Sequence, residues 1–169
     1  GRIVGRDTKN LDNAGISRAC IESVSESFVD GFLSPVFFWA SGVLMARYVG
    51  LDAGLTAMSL VVVYRISNTL DSLVGYDNEK YGNFGKFSAR VDDVLNFLPA
   101  RLTPLFILPA VAASGGNVKK SILTFMKDRS KSASPNAGHS ISLFAGALGI
   151  TLGGDTMYAG VILCKPVIG

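Results

Sequence analysis

Hydrophobic and polar positions divide the chain into long apolar stretches separated by shorter charged ones. Residues 1–15 (GRIVGRDTKNLDNAG) are polar and turn-rich, and Asp12 or Asn13 is placed to cap a helix starting near Gly15. That helix carries Glu22, Glu26 and Asp30 at four-residue spacing, which puts the three carboxylates within about 80° of one face. The stretch from Gly31 to Leu51 is apolar with Arg47 its only charge, and it is long enough to cross a bilayer core, which takes about 20 residues. Pro35 falls in its first turn, where proline is tolerated.

The next stretch, residues 53–70, is apolar or small as far as Val63 and then turns polar. Tyr64, Asn68, Asp71 and Gly75 recur at i, i+4, i+7 and i+11, one narrow helical stripe of the kind that faces a bundle interior or a wet cavity in membrane helices. Residues 71–93 read as a charged loop. Val94–Asn117 is apolar again, with Arg101 its only charge and prolines at 99, 104 and 109. Each proline removes a helical hydrogen bond, so the pattern predicts a re-entrant or in-plane element. Charge placement agrees: with three successive spans, the basic stretch 119–131 would lie on the face that should be poor in Lys and Arg. Ser134-Pro135-Asn136 reads as a helix entry, and the tail, rich in small residues (FAGALGITLGG), suits tight helix packing or close backbone approach to a ligand. The expected fold is therefore all-α: an integral membrane helical bundle with functional loops, one domain over residues 1–169.

Composition supports the membrane. The chain is 49% hydrophobic and 17% charged, against about 25% charged in soluble domains, and its mean hydropathy is +0.37. The net charge of +3 brings no nucleic-acid motif with it, so no nucleic-acid partner is expected. Cys20 and Cys164 have no CxxC neighbour, which argues against zinc and for reduced thiols packed as small apolar groups. His139, the only histidine, reads as a surface or cap residue. A start at Gly1-Arg2-Ile3 and a stop after Gly169 are expected of the C-terminal part of a longer protein.

Several residues have more than one reading. Glu22, Glu26 and Asp30 suit Mg²⁺ beside a nucleotide, or else a solvated helix face. Asn68 and Asp71 end an apolar helix, where an Asp is costly without a purpose, unless it simply reaches interfacial water. Arg90, Asp92, Asp93 and Asn96 form either a second carboxylate cluster or a network that fixes a helix start. Arg6 in GRDT suits a phosphate or an exposed turn. Arg101, between two prolines, reads as one half of a structural ion pair. Asn136 and Ser134 serve as a cap, or with Gly138 leave backbone N–H groups for a phosphate.

The motifs GRDT (5–8), ESVSESFVDGFLSPVFF (22–38), YRISNTLDSLVGY (64–76), NEKYGNFGKFSARVDDVLNFLPARL (78–102), SPNAG (134–138), FAGALG (144–149) and KPVIG (165–169) resemble, in order and spacing, the CobD/CbiB cobalamin biosynthesis proteins. One departure is Ser25-Glu26-Ser27, where the family more often has Ala-Glu-Asn. The resemblance implies an adenosylcobinamide-phosphate synthase, which joins a propionate carboxylate of adenosylcobyric acid to the amine of 1-amino-2-propanol phosphate with ATP hydrolysis. It implies ATP and Mg²⁺ as cofactors, the lipid bilayer as surroundings, other cobalamin enzymes as partners, and a multi-pass plasma-membrane protein whose active face is cytoplasmic. Such chemistry needs a base, phosphate donors and a metal. Asp71, Asn68, Glu26 and Asp93 are the catalytic candidates, Arg6, Asp7, Arg90, Ser134 and Asn136 the cofactor-binding ones, and Glu22, Glu26 and Asp30 the metal ligands. The rivals are a transporter fragment, which should display inverted repeats that are not seen, and a non-catalytic or sensory membrane relative of the same family.

Overall fold

The computed structural model describes residues 11–75, 82–158 and 161–169. Its contacts group into two compact units, Gly1–Val29 with Ala100–Gly169, and Asp30–Pro99.

The second unit is built on helices α2 (Ser34–Val49), α3 (Ala53–Val74) and α4 (Gly82–Leu95). α2 ends on Gly50 at φ +75°, a left-handed value that glycine adopts without strain. Two residues later Asp52 caps α3, its Oδ1 accepting from the Leu55 N–H at 2.7 Å. This tight connection folds α3 back on α2, and small residues set the spacing: a Cβ on Gly42 would stand 2.5 Å from the Ala57 Cα. α2 is preceded by a π-turn, Val29–Leu33, and by α1 (Asn13–Phe28), all within one helix of 37 residues. The widening has a local cause, because Pro35 has no N–H for the Gly31 carbonyl one turn back.

The first unit packs α1, α5 (Phe97–Ala113) from Ala100 on, α6 (Val118–Asp128), α7 (Ala137–Leu148) and a hairpin of β1 (Leu152–Tyr158) and β2 (Val161–Ile168). Asp12 caps α1 through the Gly15 N–H at 2.7 Å, as the sequence predicts. One apolar cluster joins Ile141, Ala145, Leu152 and Ile168 with Ile21 against it. Another joins Ile107, Val111 and Leu143, backed by Phe28 and Phe125. Gly146 lets α7 approach α6, where a Cβ would meet Ser121 Cα at 2.6 Å.

Several expectations are corrected. The fold is mainly helical but not all-α: the small-residue tail packs helices at Gly146, as expected, but beyond α7 it enters an antiparallel hairpin, Leu152 opposite Ile168, with an irregularity between Leu152 and Gly154. Gly153 and Gly154 take φ near +80°, so these glycines serve strand geometry and not helix packing. The charged loop 71–93 is largely helical, since α3 continues to Val74 and α4 starts at Gly82. The Pro-rich segment is not broken at its prolines. α5 runs through Pro104 and Pro109, and the Thr103 hydroxyl donates to the Ala100 carbonyl that Pro104 cannot serve, at 2.6 Å. The interruption falls instead at Asn96, where Phe84–Leu95 and Phe97–Ala113 meet at a bend of 44°. Among the described helices, Asn13–Val49 is long and apolar enough to cross a membrane, and the bent pair counts as a second candidate if taken together.

Candidate functional site

In the second unit, side chains from α2, α3 and α4 converge on Asn96. Its Oδ1 accepts from the Ser34 hydroxyl at 2.5 Å and from the Tyr64 hydroxyl at 3.0 Å, while its Nδ2 donates to Asp92 Oδ2 at 2.9 Å. Asn68 Nδ2 donates to the other oxygen, Asp92 Oδ1, at 3.1 Å. Tyr64 and Ser34 are fully buried, and the Tyr64 hydroxyl also reaches the Asp30 carbonyl at 3.0 Å. Arg65 approaches the same carbonyl at 3.3 Å. A break in a helix leaves backbone groups to satisfy, and a buried asparagine at that break is kept only with partners on all sides. Here the partners are supplied by the stripe that periodicity marks on α3.

This network clamps a carboxylate with neutral amides, which hold it without cancelling its charge. Asp71 stands beyond the apolar part of α3, one turn below Asn68. Burial first, and then the charges of Asp92 and Asp93, push its carboxyl above the ordinary carboxylate range. At Gly75 a side chain would collide with the Asp71 carboxylate, so glycine keeps that end of the stripe open. A carboxylate under like-charge pressure takes up a proton or a cation more readily than a solvated one.

The first unit holds the other candidates. Glu22 is 5% exposed and its Oε1 accepts from the Gly153 N–H at 2.7 Å, which ties α1 to the hairpin. Glu26 is exposed. Both line a cavity of about 260 Å³ with Ser132, Ser134, Cys164 and Lys165. Ser134 Oγ accepts from the N–H groups of Asn136 and Ala137 at 3.3 and 3.4 Å, so the entry to α7 is capped by Ser134, while Asn136 makes no side-chain cap.

The sequence-derived set is thus divided. Asn68, Asp71 and Asp93 belong with Asp92 and Asn96 in the second unit, and Glu22, Glu26 and Ser134 share a cavity in the first. Asp30 lies in the π-turn and belongs to the second unit. Among the described residues no three His, Cys, Asp or Glu side chains are grouped to hold a metal ion by themselves. Arg90 is exposed on α4, and Arg6 and Asp7 lie outside the described residues. Asn136 is buried and accepts from Arg101 at 3.4 Å. His139 is not a surface residue: it is 8% exposed. Cys164 is exposed instead of packed. Ser34 and Lys165 were not marked by any periodicity, Ser34 because it stands next to Pro35 in an apolar run and Lys165 because a lone lysine in a strand carries no pattern.

Long apolar helices around a buried amide–carboxylate network define a helical protein with an acidic polar centre. The chain belongs to the CobD/CbiB family: the family model described as "CobD/Cbib protein" matches residues 1–169. A cobalamin biosynthesis protein CobD of Desulfotalea psychrophila is 44% identical over 168 residues, 99% of this chain and 51% of that protein. Proteins of the same name are 43% identical in Clostridium perfringens, over 99% of this chain and 49% of the relative, and 43% identical in Synechocystis, over 99% and 46%. The chain spans about half the length of these relatives. No solved structure matches.

Proposed function

We propose that the intact protein carrying this chain is an ATP-dependent ligase of cobalamin biosynthesis that joins a propionate carboxylate of adenosylcobyric acid to the amine of 1-amino-2-propanol phosphate. The observation that carries this reading is the amide-clamped Asp92 beside Asp71, in a chain whose relatives are named for cobalamin biosynthesis. Amide synthesis of this kind proceeds when the carboxylate attacks the terminal phosphorus of ATP, releasing ADP and leaving an acyl phosphate. The amine then attacks the acyl carbon and inorganic phosphate departs. An ammonium must lose a proton before it can attack, and a carboxylate with an elevated pKa accepts that proton better than a solvated one. Asp71 is assigned this role. Asp93 sustains the negative field, and Asn68 with Asn96 keeps Asp92 from turning toward Asp71.

Mg²⁺ needs only one or two protein carboxylates, since phosphate oxygens and waters complete its shell. The paired Glu22 and Glu26 fit that demand without a third ligand, and Asp30 is assigned no part in it. A bound Mg²⁺ would supply charge shielding for the phosphates. Arg6, Asp7, Arg90, Ser134 and Asn136 are assigned to the nucleotide.

The protein is placed in the plasma membrane as a multi-pass protein. A helix of 37 residues is about 55 Å long at 1.5 Å per residue, against about 30 Å of hydrocarbon. The helix is thus longer than the hydrocarbon core needs, and the active face is assigned to the cytoplasm.

The test is conversion of adenosylcobyric acid by membranes containing the full-length protein, followed by mass spectrometry. ATP-dependent appearance of the amide product is expected. Absence of product with both substrates and Mg-ATP present would overturn the reading.

A further inference from the structure

None of the side chains lining a second cavity in the first unit has a role above, although Ser134 and Asn136, assigned to the nucleotide, stand at the same helix entry. The cavity is open, about 690 Å³, and Arg101, Arg129, Ser130, Ser132, Pro135 and His139 are among its walls. Among the described residues lining it there is no carboxylate.

Three features give it the chemistry of an anion site. The first is α7, whose twelve residues begin at the cavity wall with no cap from the Asn136 side chain. At the positive end of its dipole the N–H groups of Asn136 and Ala137 reach Ser134 Oγ at 3.3 and 3.4 Å, long bonds that an anionic oxygen would replace. Asn136 turns its carboxamide oxygen to Arg101 instead. The second is His139, more than nine-tenths buried, with an Nδ1 that has no hydrogen-bond partner among the described residues. A buried nitrogen in that condition destabilises the fold unless something meets it. Burial, followed by the charges of Arg101 and Arg129, holds the ring below the ordinary histidine value, against an opposing contribution from the Asn136 backbone.

The third is the arrangement of cations. Arg129 lies over the Phe125 ring at 5.3 Å, and His139 meets the same ring edge-on at 5.7 Å. The carboxylate adjacent in sequence, Asp128, is engaged elsewhere: Lys131 Nζ stands 2.6 Å from Oδ1, and the Gly169 N–H donates to Oδ2 at 2.9 Å. Arg129 is left with the Met126 carbonyl at 3.2 Å and the Met126 sulfur at 3.4 Å. Two guanidinium groups, a histidine and a helix N-terminus thus surround one volume.

We propose that Arg101, Arg129, His139 and the N-terminus of α7 form a binding site for the phosphate group of a phosphate ester. The chemistry is shared by the two phosphorylated substrates of the ligase reading, on which the choice of ligands rests: the aminoalcohol phosphate and ATP.

The test uses the full-length protein in detergent, with inorganic phosphate as the first probe in titration calorimetry. Arg101→Gln alters an exposed side chain, and Arg129→Lys keeps the charge but loses the guanidinium fork. Each is expected to weaken phosphate binding about tenfold or more, the loss of a charge-assisted pair, with helical content by circular dichroism unchanged. His139 ring signals in NMR are expected to titrate at higher pH with phosphate present than without it. The source follows from kinetics. If the site takes the aminoalcohol's phosphate, the variants raise KM for 1-amino-2-propanol phosphate and leave that for ATP; if it takes the nucleotide, the reverse holds. Phosphate affinity and both KM values equal to wild type in the two variants would overturn the inference while leaving the ligase reading intact. Loss of phosphate binding in a protein that never converts the corrinoid would sink the ligase reading and keep the site.

Discussion

At the level of single residues, sequence periodicity carries furthest where one helix face does one job. Tyr64, Asn68, Asp71 and Gly75 are marked by spacing alone, and the structure gives Tyr64 and Asn68 buried or half-buried partners on α4 and on the π-turn. What spacing does not reveal is a partner far along the chain. Nothing in the run of α1 says that Glu22 will take the Gly153 N–H, and nothing around His139 says that α6 will cover it. Two expectations follow. The raised pKa of Asp71 means its ionised form opposes folding at neutral pH, and that cost disappears as pH falls through the raised value. Asp71→Asn should therefore melt at the same or a higher temperature than wild type at pH 7, the gap closing on acidification; a clear loss of thermal stability would contradict this. Asp128 has the opposite sign. Burial pushes its carboxyl up, but Lys131 and the Gly169 N–H more than offset this and hold it below the ordinary value. Its contribution is complete above the unfolded value of about 4 and is lost as pH falls through the folded one. Asp128→Asn should melt lower than wild type at pH 7, and the two curves should converge as pH falls through the lowered folded value.

Among the elements, the apolar stretches are readable because length and hydropathy leave little choice, and α2, the apolar half of α3 and α5 all fall where the pattern puts them. Breaks are harder. Pro104 suggests an interruption, yet the Thr103 hydroxyl meets the orphaned carbonyl and the helix continues. Asn96 carries no breaker signal, and its role comes from partners on three helices. The hairpin is not legible in the sequence because Gly153 and Gly154 look like packing glycines until the strand opposite is known. The contact of α2 with α3 rests on Gly42, where an added Cβ meets Ala57 backbone that cannot move aside. Gly42→Ala should cost on the order of 1–3 kcal/mol of stability, the scale of overpacking, read as a lower unfolding midpoint in detergent. A midpoint equal to wild type would show that the two helices have room to separate.

For the molecule as a whole, the outer faces of α2 and α3 are the dominant fact. Trp39, Leu44, Met45, Leu55, Met58 and Val63 are all exposed on these two helices, an apolar surface that calls for a covering. Lipid, and the part of the relatives' length that this chain does not span, are the coverings proposed for it. If the segment through α4 and α5 enters and leaves on one face, cysteines placed at Asn78 and at Ser132 of the full-length protein should both react with an impermeant reagent from the cytoplasmic side. Opposite sidedness would mean that the segment spans, and the single active face would be lost. The proposed ligase function needs both Asp71 and Glu26. It is tested most directly by the kcat for adenosylcobyric acid of full-length protein carrying Asp71→Asn or Glu26→Gln, both nearly isosteric. A fall of about a hundredfold or more in each, the scale of a lost base or metal ligand, with the protein still folded in the membrane, is the expected result; near-normal turnover by both variants would contradict it.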